Sequence, residues 1–251
     1  MKEFLKDKLK VKVFNTRSEM GFAAARMVSE KINELLKEKE YVNIIFASAP
    51  SQNEFLAALQ EMEVDWNKIN AFHMDEYVGL DKDSPQGFGN FLKDRLFSKV
   101  SLRQTHYLNG NADDLEEECN RYAQLLEKYP TDIVCLGIGE NTHLAFNDPH
   151  VALFNDPKIV KVVDLDEKCR TQQVNDGCFV ALQEVPANAL TITIPALFKS
   201  TYAYAVVPGE LKANAIYHTL HDEVEEKYPS TILRRHPNAV LFIDENSAKK
   251  I

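Results

Sequence analysis

The segment Asp132-Ile-Val-Cys-Leu-Gly-Ile-Gly-Glu-Asn-Thr-His143 decides the fold. Its first half, Ile133 to Ile138, is a short apolar run of the kind buried on both faces of a parallel sheet. Its second half breaks into a polar loop that carries Glu140, Asn141 and His143, with Asn147 and Asp148 close behind. In open α/β sheets, ligands bind beyond the carboxyl ends of the strands, so this loop is a candidate site. Gly137 and Gly139 have part of the spacing of a dinucleotide fingerprint. Position 142 is Thr, so the third glycine is missing and no nucleotide cofactor is expected.

The same alternation extends outward in both directions. Val11 to Asn15 reads as a strand, and Thr16-Arg-Ser-Glu19 has the form of a capping box opening a helix. Val42 to Ala47 is a second buried run, and Ser51-Gln-Asn-Glu54 a second capping box. Ile69 to Met74 is a strand, while Phe88 to Phe97 and Leu115 to Tyr129 have helical character. Strands at Ile159–Val163, Leu190–Ile194, Tyr202–Val207 and Ala239–Ile243, with a helix from Glu210 to Leu220, complete the pattern. Strands alternating with helices predict an α/β fold with a mainly parallel sheet and helices on both faces. No Gly/Ser-rich linker or repeat divides the chain, so residues 1–251 are expected to form a single domain.

Composition narrows the function classes. The 251 residues are 45% hydrophobic and 27% charged, the balance of a globular protein, and no apolar run reaches the length of a membrane span. The charged N-terminus has no apolar core and is not a secretion signal, so a cytoplasmic location is expected. A formal net charge of −9 disfavours general nucleic-acid binding but leaves room for a small anionic substrate in a locally positive pocket. Cys119, Cys135, Cys169 and Cys178 show no CxxC spacing and read as reduced thiols. No HxH, HExxH or Cys/His cluster occurs, so no metal is expected.

Three strand ends carry residues suited to chemistry. Asp75 and Glu76 follow the Ile69–Met74 strand; adjacent carboxylates on extended backbone point to opposite sides, so one at most faces a given cleft. His143 has acidic and amide neighbours that can hold one tautomer for proton transfer. The turn from Ser48 through Ser51 and Gln52 leads into a helix start, where free amides suit phosphate. Lys212 falls in the first turn of a helix, where a cation opposes the helix dipole and so hints at a ligand. Each residue, taken alone, also fits a plain role: Asp75 as a polar strand end, His143 as a loop histidine, Lys212 as an exposed lysine.

Taken together, Phe72-His-Met-Asp-Glu-Tyr-Val-Gly-Leu80, Leu108-Asn-Gly-Asn111 and Leu136-Gly-Ile-Gly-Glu-Asn-Thr-His-Leu-Ala-Phe-Asn-Asp-Pro149 resemble the glucosamine-6-phosphate deaminase (isomerase) family over most of the chain. The wider superfamily includes 6-phosphogluconolactonases, which are similar in the Gly-Ile-Gly…His segment; Met-Asp-Glu-Tyr and Leu-Ala-Phe-Asn fit the deaminase branch better. The resemblance implies a Rossmann-like fold and conversion of glucosamine 6-phosphate to fructose 6-phosphate and ammonia, with no cofactor. It implies that Asp75 moves a proton between C2 and C1, that His143 opens the pyranose ring, and that Lys212 contacts the phosphate of a small sugar phosphate. It leaves homo-oligomerisation open, since the family includes monomers and larger assemblies.

The chain departs from the family pattern at four places. Asn141 stands where members usually have Asp, and Asp148 where they have Glu; both support the histidine. Ser48-Ala-Pro-Ser-Gln52 replaces a Gly/Thr-rich phosphate turn. The stretch Val174-Asn-Asp-Gly-Cys178 lacks a phosphate-binding arginine, for which Arg170, Arg234 or Arg235 would have to compensate. Two other functions stay in view: a sugar-lactone hydrolase in which His143 activates water, and a sugar-phosphate sensor without turnover.

Overall fold

The buried apolar runs become the strands of one large sheet. The structure, a computed structural model, describes residues 2–251. In chain order it contains β1 (Lys2–Lys6), β2 (Leu9–Phe14), α1 (Arg17–Leu35), β3 (Val42–Phe46), α2 (Asn53–Gln60), β4 (Ile69–His73), β5 (Asp75–Tyr77), α3 (Phe88–Leu92), β6 (Gln104–His106) and α4 (Leu115–Lys128). There follow β7 (Ile133–Leu136), β8 (Val160–Asp164), α5 (Glu167–Asn175), β9 (Asn188–Ile192), α6 (Ile194–Phe198), β10 (Tyr202–Val207), α7 (Ala213–His221) and β11 (Ala239–Asp244).

Eight strands form the main sheet in the order β1-β2-β11-β10-β7-β3-β4-β6. All neighbours are parallel except β1, which runs antiparallel to β2. Strands β3, β4 and β7 are buried along their whole length, as expected of a sheet covered on both faces. One face packs on α1 and α2 through Met20, Val28, Ile32, Phe55 and Leu59; the other packs on α4, α6 and α7 through Tyr122, Leu126, Leu197, Ile216 and Leu220. From β3 the chain moves outward through β4 to β6, then returns to place β7 on the other side of β3. The strand order therefore reverses between β3 and β7, which opens a crevice at their carboxyl ends.

Four local expectations are corrected. The runs at 159–163 and 190–194 do not join the parallel sheet. As β8 and β9 they pair antiparallel with β5 in a separate three-stranded sheet, order β5-β9-β8, over a small core of Tyr77, Phe88, Phe146 and Phe179. The charged N-terminal segment is a strand, β1, whose exposed edge needs no apolar run. Helix α5 was not anticipated because Glu-Lys-Cys-Arg-Thr-Gln-Gln-Val-Asn has no apolar stripe.

The Ser51–Glu54 capping box does not form. Pro50–Gln52 make a 3₁₀ turn, Gln52 offers no side-chain cap to α2, and Glu54 pairs with Arg17 at 2.7 Å. Arg17 also holds the Pro50 carbonyl at 2.7 Å, so it draws Glu54 away from the backbone amides. The first capping signal holds in its main contact: the Glu19 amide donates to Thr16 Oγ1 at 3.1 Å. Among the described residues, no helix is long and apolar enough to cross a membrane.

Candidate active site

Four strand ends converge on the crevice beside β7. The turn after β3 brings Ser48 and Ser51, and the Ala47 amide donates to Cys135 O at 2.9 Å, extending the β3–β7 pairing to the rim. The chain passes from β4 directly into β5, so Asp75 sits at the junction of the two sheets, paired in register with Thr191. The loop after β7 brings Gly137, Gly139 and His143. After β10, Gly209 turns the chain with φ of 93°, a left-handed conformation that suits glycine, and Lys212 follows in a 3₁₀ turn. These residues line one cavity of about 50 Å³, closed on a further side by Gln172 and Gln173 of α5.

The carboxyl of Asp75 is buried among Met74, Phe88 and Phe146. Burial, and secondarily the charge of Glu76, hold it well above the usual carboxylate range. Glu76 faces the other way, accepting from the Phe88 amide at 3.0 Å and the Gly89 amide at 2.9 Å at the start of α3. His73, fully buried, fixes the backbone of Asp75. Its Nε2 accepts from the Leu108 amide at 2.9 Å, so Nδ1 carries the proton and donates to Asp75 O at 2.8 Å. Burial lowers the His73 pKa and favours this neutral form.

His143 lies over Gly139: a Cβ built there would meet its imidazole at 2.1–2.4 Å, so only glycine leaves room for the ring. Nδ1 donates to Asn141 Oδ1 at 2.7 Å and lies 3.1 Å from Asp148 Oδ1. The proton is thereby held on Nδ1, and Nε2 has no hydrogen-bond partner among the described residues. Asp148 is fully buried. Burial alone would raise its pKa, but hydrogen bonds and charge from His143, with further bonds from Asn141 and the Asp166 amide, bring it below the usual value. The loop keeps this arrangement with two non-glycine residues in left-handed conformations, Thr142 at φ 71° and Ala145 at φ 51°.

Lys212 is buried, and that burial lowers its pKa. Ser48 Oγ is buried without a hydrogen-bond partner among the described residues. Of the residues singled out from the sequence, Ser48, Ser51, Asp75, His143 and Lys212 line the cavity, while Asn141 and Asp148 stand behind His143. Gln52 and Arg170 do not line it. Gln52 Nε2 donates to Val206 O and Ser51 Oγ, both at 3.0 Å, and so ties the turn to β10. The Arg170 guanidinium holds Leu182 O and Val185 O at 2.8 Å. Arg234 pairs with Asp7 at 2.6 Å and Arg235 reaches the Val224 carbonyl, so neither replaces the missing arginine.

Residues that sequence reasoning missed are His73, Asp166, Gln172 and Gln173. Gln172 Oε1 accepts from the Glu140 amide at 2.8 Å and braces the loop after β7. The Gln173 side chain is buried on the cavity and makes no hydrogen bond with the described residues. Two groups bring metal-ligating atoms within 4.8 Å of one another: His143, Asp148 and Cys169, and Asp148, His150 and Asp166. In the first, the His143 nitrogen near Asp148 already donates a hydrogen bond, and burial pushes the Cys169 thiol well above its ordinary value, away from the thiolate a metal requires.

A family model described as glucosamine-6-phosphate isomerases/6-phosphogluconolactonase matches residues 15–242. A glucosamine-6-phosphate deaminase of Bacillus cereus (strain B4264) is 33% identical over 239 residues, which is 95% of this chain and 88% of that protein. One of Bacillus thuringiensis (strain Al Hakam) has the same identity and coverage. Among solved structures, a monomeric glucosamine-6-phosphate deaminase superimposes with a TM-score of 0.88 at 31% identity, covering 96% of this chain and 99% of that one. The 6-phosphogluconolactonase of Thermotoga maritima shares the fold, with a TM-score of 0.76 at 22% identity and coverage of 94% and 100%.

Proposed function

The chain belongs to the glucosamine-6-phosphate isomerase/6-phosphogluconolactonase family, and from that premise we propose that it is an aldose–ketose isomerising deaminase of a phosphorylated amino sugar, converting glucosamine 6-phosphate and water to fructose 6-phosphate and ammonia. The observation that carries this reading is the meeting of Asp75, His143 and Lys212 on one cavity. A buried carboxyl and a buried ammonium complement a substrate that carries both an amine and a phosphate. The free Nε2 between proton-transfer events complements a sugar that must open its ring.

The chemistry follows from these groups. His143 Nε2 takes the proton of the anomeric hydroxyl as the ring bond at C1 breaks, and returns it to the ring oxygen. Asp75 then removes the C2 proton, which is acidic because it is α to the C1 carbonyl, and delivers it to C1, while the substrate ammonium gives a proton to O1 so that C1 becomes a hydroxymethyl carbon. A buried carboxylate with a raised pKa is the stronger base for this step. C2 is left as an iminium, to which water adds and from which ammonia leaves. Lys212, Ser48, Ser51 and the nearby amides hold the phosphate away from the reacting carbons. A cytoplasmic setting accords with the four free cysteines, and one folding unit over the whole chain accords with the shared crevice.

The test is to incubate the protein with glucosamine 6-phosphate, glucosamine and a phosphorylated sugar lactone, scoring ammonia, ketose phosphate and lactone hydrolysis. Ammonia and ketose phosphate in equal amounts, from the phosphorylated amino sugar alone, is the expected result. Hydrolysis of the lactone without ammonia would instead make this a lactonase; calorimetric binding without product would make it a sensor.

A further inference from the structure

Behind His143, three side chains close a network that uses every polar atom of Asn141. Its Oδ1 accepts from His143 Nδ1 at 2.7 Å and from the His143 amide at 3.2 Å. Its Nδ2 donates to Asp148 Oδ1 and to Asp166 Oδ2, both at 2.9 Å. Asp166 is committed on its other atoms: Oδ1 accepts from the Cys169 amide at 2.6 Å and caps α5, and its own amide donates to Asp148 Oδ2 at 3.1 Å. Turning the Asn141 amide over would set its oxygen against two carboxylates and its NH₂ against a ring nitrogen that carries hydrogen. The orientation is therefore dictated by Asp148 and Asp166 together.

We infer that Asp166 is a positioning residue for His143, acting through Asn141, and that positions 141 and 166 together hold one carboxylate and one amide. This rests on the reading of His143 Nε2 as the proton carrier. With Asp166 in place, an aspartate at 141 would put a third carboxylate oxygen 2.9 Å from two others. The cluster relieves that repulsion by taking up a proton, and a neighbouring negative charge favours the imidazolium. A doubly protonated His143 cannot accept the anomeric proton.

Exchange of the two groups removes one of the two clashes. In the double variant N141D/D166N, the amide of the new side chain at 166 donates to the carboxylate at 141 while its oxygen still caps α5. The cluster then keeps two carboxylates, as in the wild type, although the one at 141 still faces Asp148 Oδ1. Asp166→Asn alone lacks this solution, because one oxygen cannot serve both the cap and the Asn141 amide.

The experiment is a double-mutant cycle read by kcat, KM and the histidine ¹⁵N spectrum at neutral pH. Asn141→Asp should lower kcat by about 30-fold or more and Asp166→Asn by about tenfold, short of the roughly 10²–10⁴-fold that a proton-transfer group itself contributes, with KM changed less than kcat. The double variant should be more active than Asn141→Asp alone. The spectrum should show a His143 tautomer protonated on Nδ1 in the wild type and a doubly protonated ring in Asn141→Asp, with the double variant shifted back toward the neutral form. A wild-type kcat in Asn141→Asp, or a double variant no better than that single one, overturns the inference. If the wild type releases no ammonia but the spectra follow the expected pattern, the proposed function fails and the positioning role stands. If the His143 spectrum is the same in all four proteins, the positioning role fails.

Discussion

Asp75 and Glu76 are neighbours in the chain with opposite environments: one carboxyl closes into the cavity, and the other is held by the first amides of α3. The strand β5 enforces this, since successive side chains leave opposite faces. Asp75→Asn should therefore lower turnover about 10²-fold or more while leaving substrate binding in place. Near-normal turnover would remove Asp75 from the mechanism. Because burial raises its pKa, the acid limb of the rate profile should lie above the ordinary aspartate value of about 3.9.

The same burial sets a stability prediction. The folded chain holds a proton on Asp75 that the unfolded chain has already released, so wild-type stability falls as pH rises from the unfolded value through the folded one. An asparagine has no proton to lose. The melting temperature of Asp75→Asn relative to wild type should rise as pH increases above the ordinary aspartate value of about 3.9, and an unchanged difference would contradict the buried-carboxyl account.

Lys212 is the one cation lining the cavity among the described residues. A charge-assisted contact contributes on the order of 1.5–3 kcal/mol, or roughly tenfold to over a hundredfold in affinity. Lys212→Ala should raise KM for glucosamine 6-phosphate by that factor and change kcat less. Wild type should strongly prefer the phosphate ester over glucosamine, and the variant should lose most of that preference. Equal treatment of the two sugars by both proteins would mean the substrate is not a phosphate ester.

Gly139→Ala should be severe for a reason unrelated to backbone freedom. The added methyl would occupy the place of the imidazole, with ring atoms only 2.1–2.4 Å away. His143 must then turn away from the cavity, and a loss of about 10²-fold in kcat is expected, the scale of a misplaced reacting group. A crystal structure of the variant should show the ring displaced; retained activity with the ring in place would refute the packing argument.

Gln173 offers a milder test. As a neutral donor to the substrate it should contribute about 0.5–1.5 kcal/mol, so Gln173→Leu should raise KM roughly two- to twelvefold at near-constant kcat. An unchanged KM would make it a wall residue only.

What could be read in advance follows from burial. The runs at 42–47, 133–138, 202–207 and 239–243 are apolar because both sheet faces are covered, so their place in the parallel sheet was legible. The pairing partners of β8 and β9 were not, since alternation says nothing of which sheet a strand joins. Strand β1 escaped because an edge in water needs no apolar residues, and α5 because its buried Gln172 and Gln173 face a polar cavity instead of a core. Asp75, His143 and Lys212 stood out through their positions after strands. Arg170 stood in only for the arginine missing from the 174–178 stretch, and its side chain binds two carbonyls within reach. Asp166 carried no signal, because the helix it caps was itself not legible and its bond to Asn141 spans a long loop and the strand β8.

The cavity of about 50 Å³ has a consequence for selectivity. Ordinary small-ligand sites offer roughly 300–1,000 Å³, so the enclosed part takes only one end of a hexose phosphate while the rest lies in its open mouth. The end that enters leaves its water behind, and the end outside keeps it. Discrimination among sugars should therefore be steep at the enclosed end and slack at the open one.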